Sequence, residues 1–369
     1  ARLLGDSGLS GKGRSDGWSR LVVEKPFGRD LRSAISLNQA IGDHFNEEQI
    51  FRIDHFLAKE TVQNLLMFRF AKAIFVPIWN RLYIDDVRIR ATQTLGVENR
   101  SGYYEQAGGI RDMFQNHMMQ LLAMIAMDPP ARFDALDVRD ERMKIFRSLR
   151  PMDNVQLQRN LVLGQYQAGR INGEPVPGYR EEPGVDPSSL TPTYAHLKLY
   201  LDNWRWQGVP FWLTSGKRLA RKVTEIVIKF KRVPHLMFRP VLDADISANQ
   251  LVIGIYPDEK ITLTFHTKNP GAQMCLRPVT MDFHYYQDDV RNRWDAYEKV
   301  LLDCIAGDQM LFWRQDAVER TWSFFEPLLA SCETCSDRAQ RLNFYTAGSR
   351  CPAAIDLPGY GVDQRVDQG

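Results

Sequence analysis

Apolar residues fall on a helical period in some stretches of the chain and on a two-residue period in others. Leu21-Val22-Val23 reads as a short buried-type strand stopped by Pro26, and the proline holds Lys25 extended at the strand's carboxyl end. An amphipathic helix is predicted from about Asp30 to Phe45. Ile50 to Ile53 is strand-like and leads into a helix-like run from Ala58 to Phe70. Asp86 to Thr94 alternates Val87, Ile89 and Ala91 with polar residues, the mark of a half-buried strand. After a turn at Gly96 to Gly102, Ile110, Met113, Phe114, His117, Leu121, Met124 and Ile125 recur at spacings of three and four. That spacing predicts a long helix from near Gly109 to before Pro129, with His117 on its apolar stripe.

Asp137 to Leu149 reads as an exposed helix, and Arg170 to Thr193 as a polar loop rich in proline and glycine. Beyond it the period shortens. Tyr194 to Leu201, Pro210 to Ser215, Val223 to Lys231, Gln250 to Tyr256, Lys260 to His266 and Val279 to Tyr286 are strand-like, with no long helices between them. Helices follow at about Asp295 to Ala306 and Ala317 to Leu329. The succession predicts an α+β fold built on a large, mainly antiparallel mixed sheet with helices.

Composition narrows the function classes. The 369 residues suit roughly two domains or one large one, and 44% hydrophobic with 25% charged content is ordinary for a globular protein. A net charge of +2 is too balanced for nucleic-acid binding, so any anion must be held by local clusters. The apolar run Leu65 to Phe75 is broken by Arg69 and Lys72, so no membrane span is expected. The amino terminus lacks a signal peptide's apolar core and an initiator methionine, and reads as the middle of something longer. The cysteines Cys275, Cys304, Cys332, Cys335 and Cys351 are odd in number, which suits a reducing, cytoplasmic setting. Cys332-Glu-Thr-Cys335 has no second pair, so no metal is expected there. The Gly5 to Ser15 stretch resembles a phosphate loop only superficially, because Asp6 and Gly13 occupy positions where such a loop needs glycine and a hydroxyl.

Candidate chemistry gathers at Phe51 to Glu60, where Asp54, His55 and Lys59 sit at a strand-to-helix junction. His55 and Lys59 can turn to one anion beside the outward N–H groups of a helix start. The same spacing fits a surface ion cluster. His117 fits a core histidine satisfied by one hydrogen bond as well as it fits a proton acceptor. Asp112, five residues earlier, lies about 140° around a regular helix and is not expected to pair with it. Gly216 to Lys222 carries Lys217, Arg218, Arg221 and Lys222, either a solvated turn or the far side of an anion site.

Four motifs in register, Glu24-Lys-Pro-Phe-Gly28, Arg52-Ile-Asp-His-x-Leu-x-Lys-Glu60, Arg111-Asp-x-x-Gln-Asn-His117 and Gly216-Lys217, resemble the glucose-6-phosphate dehydrogenase family. The likeness continues through Asn64 to Phe70, Ile78-Trp-Asn80 and Gly208 to Phe211. It implies that His117 is the general base and that Asp54 orients it. By the same resemblance, His55, Lys59 and Lys222 hold the 6-phosphate, while Asp112, Lys217, Gln93 and Lys25 meet the sugar, Lys25 also approaching the nucleotide. The reaction implied is glucose 6-phosphate plus NADP giving 6-phosphogluconolactone plus NADPH, in the oxidative pentose phosphate pathway, with NAD possible in place of NADP. A homodimer or homotetramer is implied as well. The residue types suit this chemistry, since histidine takes protons near neutral pH and a carboxylate steadies the imidazolium.

Phe56 stands where the family commonly has tyrosine, and Gln93 where it commonly has glutamate. The family's glycine fingerprint for a dinucleotide pyrophosphate precedes the Lys-Pro motif and is not found here. Residues 1–50 are therefore expected to be the tail of a Rossmann-like α/β nucleotide domain, and 51–369 the substrate and dimerisation domain. The sequence is expected to be a fragment, poorly active alone. Two alternatives remain, a non-catalytic sugar-phosphate-binding or oligomerisation fragment and a hexose-6-phosphate dehydrogenase of broader specificity.

Overall fold

The computed structural model describes residues 1–10, 17–57, 59–71, 73–235, 247–271, 276–284, 296–334 and 338–350. Two short strands, β1 (Leu21–Val23) and β2 (Ile50–Arg52), pair in parallel and are joined by helix α1 (Leu31–Gly42). The helix starts where its sequence says it should. Asp30 accepts from the Ser33 N–H at 2.7 Å and the Ser33 hydroxyl returns to the cap, so two unpaired donors of the first turn are satisfied. Helix α2 (Glu60–Phe70) follows β2.

The remaining strands are β3 (Ile84–Thr92), β4 (Leu161–Gln167), β5 (Tyr194–Leu199), β6 (Phe211–Gly216), β7 (Val223–Phe230), β8 (Gln250–Tyr256), β9 (Lys260–Lys268), β10 (Leu276–His284) and β11 (Leu342–Thr346). They form one nine-stranded sheet in the order β10-β9-β8-β7-β3-β6-β5-β4-β11. Only the β3–β6 and β4–β11 pairings are parallel, so the sheet is mixed and mainly antiparallel, as the spacing predicted. Val87, Ile89 and Ala91 are buried on one face of β3, with Arg88 and Arg90 half-buried on the other. A short hairpin, Gly169–Ile171 with Glu174–Val176, begins one residue before the stretch read as polar loop and takes up its start.

The long helix expected from Gly109 differs from its prediction. Helix α3 (Ser101–Gly109) precedes it and breaks at Gly108 (φ 61°, ψ 172°), a conformation that glycine alone adopts at little cost. Ile110–Met118 is then π-helical, and α4 (Met119–Ala126) completes the run. Every residue of α4 is buried, as a helix apolar on nearly every side must be, and its one polar side chain, Gln120, accepts from Arg142. Its terminal carbonyls would be left unpaired in the core, but Arg69 donates to Met124 and Met127 oxygens at 2.7 and 2.6 Å. The Trp79 and Trp206 indoles donate to Ile125 and Ala126 oxygens, each at 2.8 Å.

Helix α5 (Ala135–Arg147) corrects the expectation of an exposed helix. Val138, Met143, Ile145 and Phe146 are buried together with Arg139 and Arg142. Arg142 donates to Gln120 Oε1 at 3.1 Å and to the Phe312 oxygen at 2.8 Å, which is how a guanidinium is accommodated there. Helices α6 (Ala296–Ala306) and α7 (Gln315–Thr334) follow. Lys12, Ser15, Ala58, Cys275, Tyr286, Asp295, Cys335 and Cys351 lie outside the described residues.

Candidate active site

Asp54 lies just past the end of β2, and that end is firmly held. The Arg52 guanidinium pairs with Glu47 at 2.8 Å and Asn38 at 3.1 Å, and the Arg52 carbonyl accepts from the Trp313 N–H at 3.1 Å. His117 arrives from the π-helical segment. Its neighbours serve as anchors, since Gln115 donates to Thr321 Oγ1 at 3.1 Å and Asn116 accepts from the Trp313 indole. With those two residues tied toward α7, the imidazole turns the other way and meets Asp54, Nδ1 to Oδ1 at 2.6 Å. Both side chains are almost wholly buried.

Nδ1 faces a carboxylate, so it carries the proton and donates. Nε2 then holds a lone pair, and it faces the Lys25 ammonium at 3.2 Å. The Phe56 N–H donates to the same Asp54 oxygen at 3.0 Å, and the Phe56 ring stacks on the imidazole at 4.3 Å between centroids. Burial works to raise the Asp54 carboxyl, but the charge and hydrogen bond of His117 and the Phe56 N–H outweigh it and hold it below the ordinary carboxylate range.

Asp112 corrects the regular-helix geometry. In a π-helical segment hydrogen bonds close over five residues, so Asp112 and His117 lie roughly one turn apart on a shared face instead of 140° apart. Lys25 joins them, donating to Asp112 Oδ1 at 2.9 Å and to its carbonyl at 2.7 Å as well as facing Nε2. Burial opposes ionisation of Asp112, yet Lys25, then Lys217 and His117, keep its carboxyl low. Tyr103 donates to the same oxygen at 3.3 Å, and burial with the Asp112 charge pushes the phenol up to about 12.

Gln93 and Lys217 follow β3 and β6. Because those strands are parallel, their carboxyl ends coincide, and Lys217 donates to Gln93 Oε1 at 2.8 Å. The lysine is fixed from behind, its N–H donating to the Thr193 oxygen at 3.0 Å and its carbonyl accepting from the Tyr345 hydroxyl at 2.6 Å. Burial lowers its ammonium, with Asp112 opposing the shift.

Lys59 opens α2 and Lys222 precedes β7, and the Tyr256 ring lies within reach of both, at 5.1 and 4.4 Å. Lys59 also sits 5.6 Å from the Phe56 ring, which ties this cationic pair to the imidazole beyond. Its ammonium is lowered by burial and by Lys222, with Glu259 opposing. His55 is open to solvent on one side and packed on the other, its ring 4.9 Å from that of His117, and the partial desolvation followed by the His117 charge lowers it.

Every candidate residue thus falls in one neighbourhood: Asp54, His117, Lys25 and Asp112 in direct contact, Gln93 on Lys217, His55 beside His117, and Lys59 and Lys222 both at the Tyr256 ring. Sequence reasoning missed Tyr103, Tyr256 and the stacking role of Phe56. No spacing pattern linked Tyr256, at the end of an alternating strand, to lysines some 200 and 30 positions away. The ligand atoms of Asp54, His55 and His117 lie within 4.8 Å of one another, a grouping that can receive a cation. Here one proton already joins Asp54 to His117, and the Lys25 ammonium competes for Nε2.

Known proteins resemble this chain along most of its length. Residues 66–358 match the family model "Glucose-6-phosphate dehydrogenase, C-terminal domain", and residues 1–64 match "Glucose-6-phosphate dehydrogenase, NAD binding domain". The chain is 48% identical over 353 residues to a glucose-6-phosphate 1-dehydrogenase of Aggregatibacter actinomycetemcomitans, covering 96% of this chain and 69% of that one. It is 42% identical over 356 residues to the Bacillus subtilis (strain 168) enzyme of the same name, covering 96% and 71%. A solved glucose-6-phosphate dehydrogenase in complex with its substrate glucose-6-phosphate superposes with a TM-score of 0.85 at 35% identity, over 95% of this chain and 70% of that one. The Mycobacterium avium enzyme gives 0.77 at 36% identity, over 91% and 67%. The chain spans about two thirds of the length of the relatives it matches. No helix among the described residues is long and apolar enough to cross a membrane.

Proposed function

Because this chain belongs to the glucose-6-phosphate dehydrogenase family of oxidoreductases that use a pyridine nucleotide, we propose that its site oxidises glucose 6-phosphate at C1. The observation that carries the reading is the buried hydrogen bond from His117 Nδ1 to Asp54, which leaves the Nε2 lone pair facing the Lys25 ammonium. His117 takes the C1 hydroxyl proton on Nε2 as the C1–H bond breaks and the C1–O double bond forms. The imidazolium so created is stabilised by the carboxylate of Asp54. Lys25 gives up its contact with Nε2 to the incoming hydroxyl, stays on Asp112, and keeps a positive charge beside the oxygen that is losing its proton.

His55, Lys59 and Lys222 take the 6-phosphate, whose two negative charges offset the mutual repulsion of the lysines. Asp112, Gln93 and Lys217 hydrogen-bond the sugar hydroxyls. The nucleotide, when bound, accepts the hydride, and the products are 6-phosphogluconolactone and NADPH, with NADP as the acceptor and NAD the alternative. Lys25 fits a role at its nicotinamide end, because it lies just past the carboxyl end of a parallel strand, where open α/β sheets hold nucleotides. Residues 1–50 then belong to the nucleotide domain and 51–369 to the substrate domain. A cytoplasmic homodimer or homotetramer completes the proposal.

The test is nucleotide reduction by the enzyme and by a His117→Asn variant. General-base catalysis is worth about 10²- to 10⁴-fold, so a variant keeping more than about a tenth of the rate removes His117 from the role. Binding of glucose 6-phosphate by calorimetry, with no nucleotide reduction in the unaltered protein, leaves a sugar-phosphate-binding module instead.

A further inference from the structure

The site above occupies the carboxyl ends of the parallel strands β3 and β6; a separate cavity of about 550 Å³ lies at their amino ends, against Ile84, Pro210 and Trp212. Arg88, on the cavity wall, precedes Gln93 by five positions of extended chain, roughly 16 Å. The two regions share strands but no side chain. The cavity's walls are fixed by backbone hydrogen bonds: Val87 N–H to the Pro210 oxygen at 3.1 Å, Lys231 N–H to the Tyr83 oxygen at 2.7 Å, and Arg81 N–H to the Arg205 oxygen at 2.8 Å.

Its charge is unbalanced. Two of the cations facing it are taken up by acids, Arg88 by Asp86 through two hydrogen bonds of 2.7 and 3.1 Å, and Lys229 by Asp85 at 3.2 Å. Arg81, Lys198 and Lys231 also line it, and none has a carboxylate partner among the described residues. Lys198 rests over the Trp212 ring at 4.9 Å, and Lys231 spends one proton on the Arg81 carbonyl at 2.6 Å, which leaves two for a ligand. The buried His196, stacked on Trp212, is pushed down to about 3 by burial and by Arg90 and Arg88. Cations gathered in one half-enclosed space repel unless an anion offsets them.

We propose that this cavity binds a compact phosphate-bearing anion of at least two negative charges, held by Lys198, Lys231 and Arg81. A volume of this size admits a small metabolite. Planar Arg81 and the flexible lysines converge on it from different elements, so the site discriminates by charge and reach more than by shape. The proposal is independent of the reaction assigned to the other end of the sheet.

Inorganic pyrophosphate is the probe, titrated by calorimetry into a Lys59→Ala/Lys222→Ala variant so that the candidate 6-phosphate site does not contribute. Binding is expected, and adding Lys198→Glu and Lys231→Glu is expected to weaken it at least about tenfold. Absence of binding to the first variant overturns the proposal, and so does a weakening of less than about tenfold in the second. Should the charge reversals lose the cooperative thermal transition, Lys198→Gln/Lys231→Gln carries the same reading, because it removes both charges without creating acids.

Discussion

The Asp54–His117 pocket and the Lys59–Lys222 clamp are neighbours that solve opposite electrostatic problems. In the pocket each carboxylate meets a donor: Asp54 has His117 at 2.6 Å, and Asp112 has Lys25 at 2.9 Å. Both carboxyls are held low despite burial, so the pocket is assembled before anything binds. In the clamp, two like charges gather at the Tyr256 ring, and Lys59 is lowered because burial and Lys222 together outweigh Glu259. One region is finished by its own side chains, and in the function proposed here an anion finishes the other. The division matches the reaction proposed, since chemistry needs fixed geometry at C1 while affinity comes from the remote phosphate.

The comparison breaks most severely at Asp54. Asp54→Asn keeps the shape but leaves Nδ1 of His117 facing an amide that can present either a donor or an acceptor, so the reactive tautomer is no longer enforced. We expect kcat to fall by about 10²- to 10⁴-fold with KM for glucose 6-phosphate changed by less than about threefold. Steady-state kinetics checks it. A variant within tenfold of the parent kcat contradicts the claim that the pocket is preset.

Lys59→Ala and Lys222→Ala test the other half and should behave in the opposite sense. Each removes a charged hydrogen bond to the phosphate, about 1.5–3 kcal/mol, so KM rises by about 10- to 100-fold while kcat changes little. Oxidation of unphosphorylated glucose, which has nothing for the clamp to hold, should be unaffected. A fall in kcat at constant KM places the lysines in the chemistry and erases the distinction between the regions.

How far the sequence disclosed this arrangement depends on what each residue answers to. Sheet and helix periods were legible because burial imposes them, and His117 is buried as its position among apolar residues predicted, although Asp112, Gln115 and Asn116 are buried beside it. Its partner was not, because no local rule joins positions 54 and 117, and only the family resemblance linked them. Asp112 was misplaced by applying a 3.6-residue turn to a π-helical segment, a backbone choice that the side chains of 110–118 do not announce. The exposed reading of α5 failed for another reason, since Arg139 and Arg142 count as polar in any pattern and yet are buried with partners. Strands β4 and β11 were not anticipated. They pair in parallel although some 180 positions apart, so no turn chemistry marks them as neighbours.

The finest test of the preset pocket is its response to acid. The folded carboxyl of Asp112 lies below its ordinary value of 3.8, so ionised Asp112 stabilises the fold. That stability is fully present above about pH 3.8 and is lost as pH falls through the lower folded value. Asp112→Asn keeps a carbonyl for Lys25 but removes the charge, so at pH 7 we expect a loss of about 1 kcal/mol, measured by urea unfolding. Parent and variant should converge as pH drops below about 3.8, because the parent then forfeits what the variant never had. The Asp54 carboxyl, also held low, is common to both proteins and cancels in the difference. A gap that stays constant down to the acid transition means that Asp112 acts by shape alone, and the pocket then owes its order to packing around Phe56 and Trp313 instead of to paired charge.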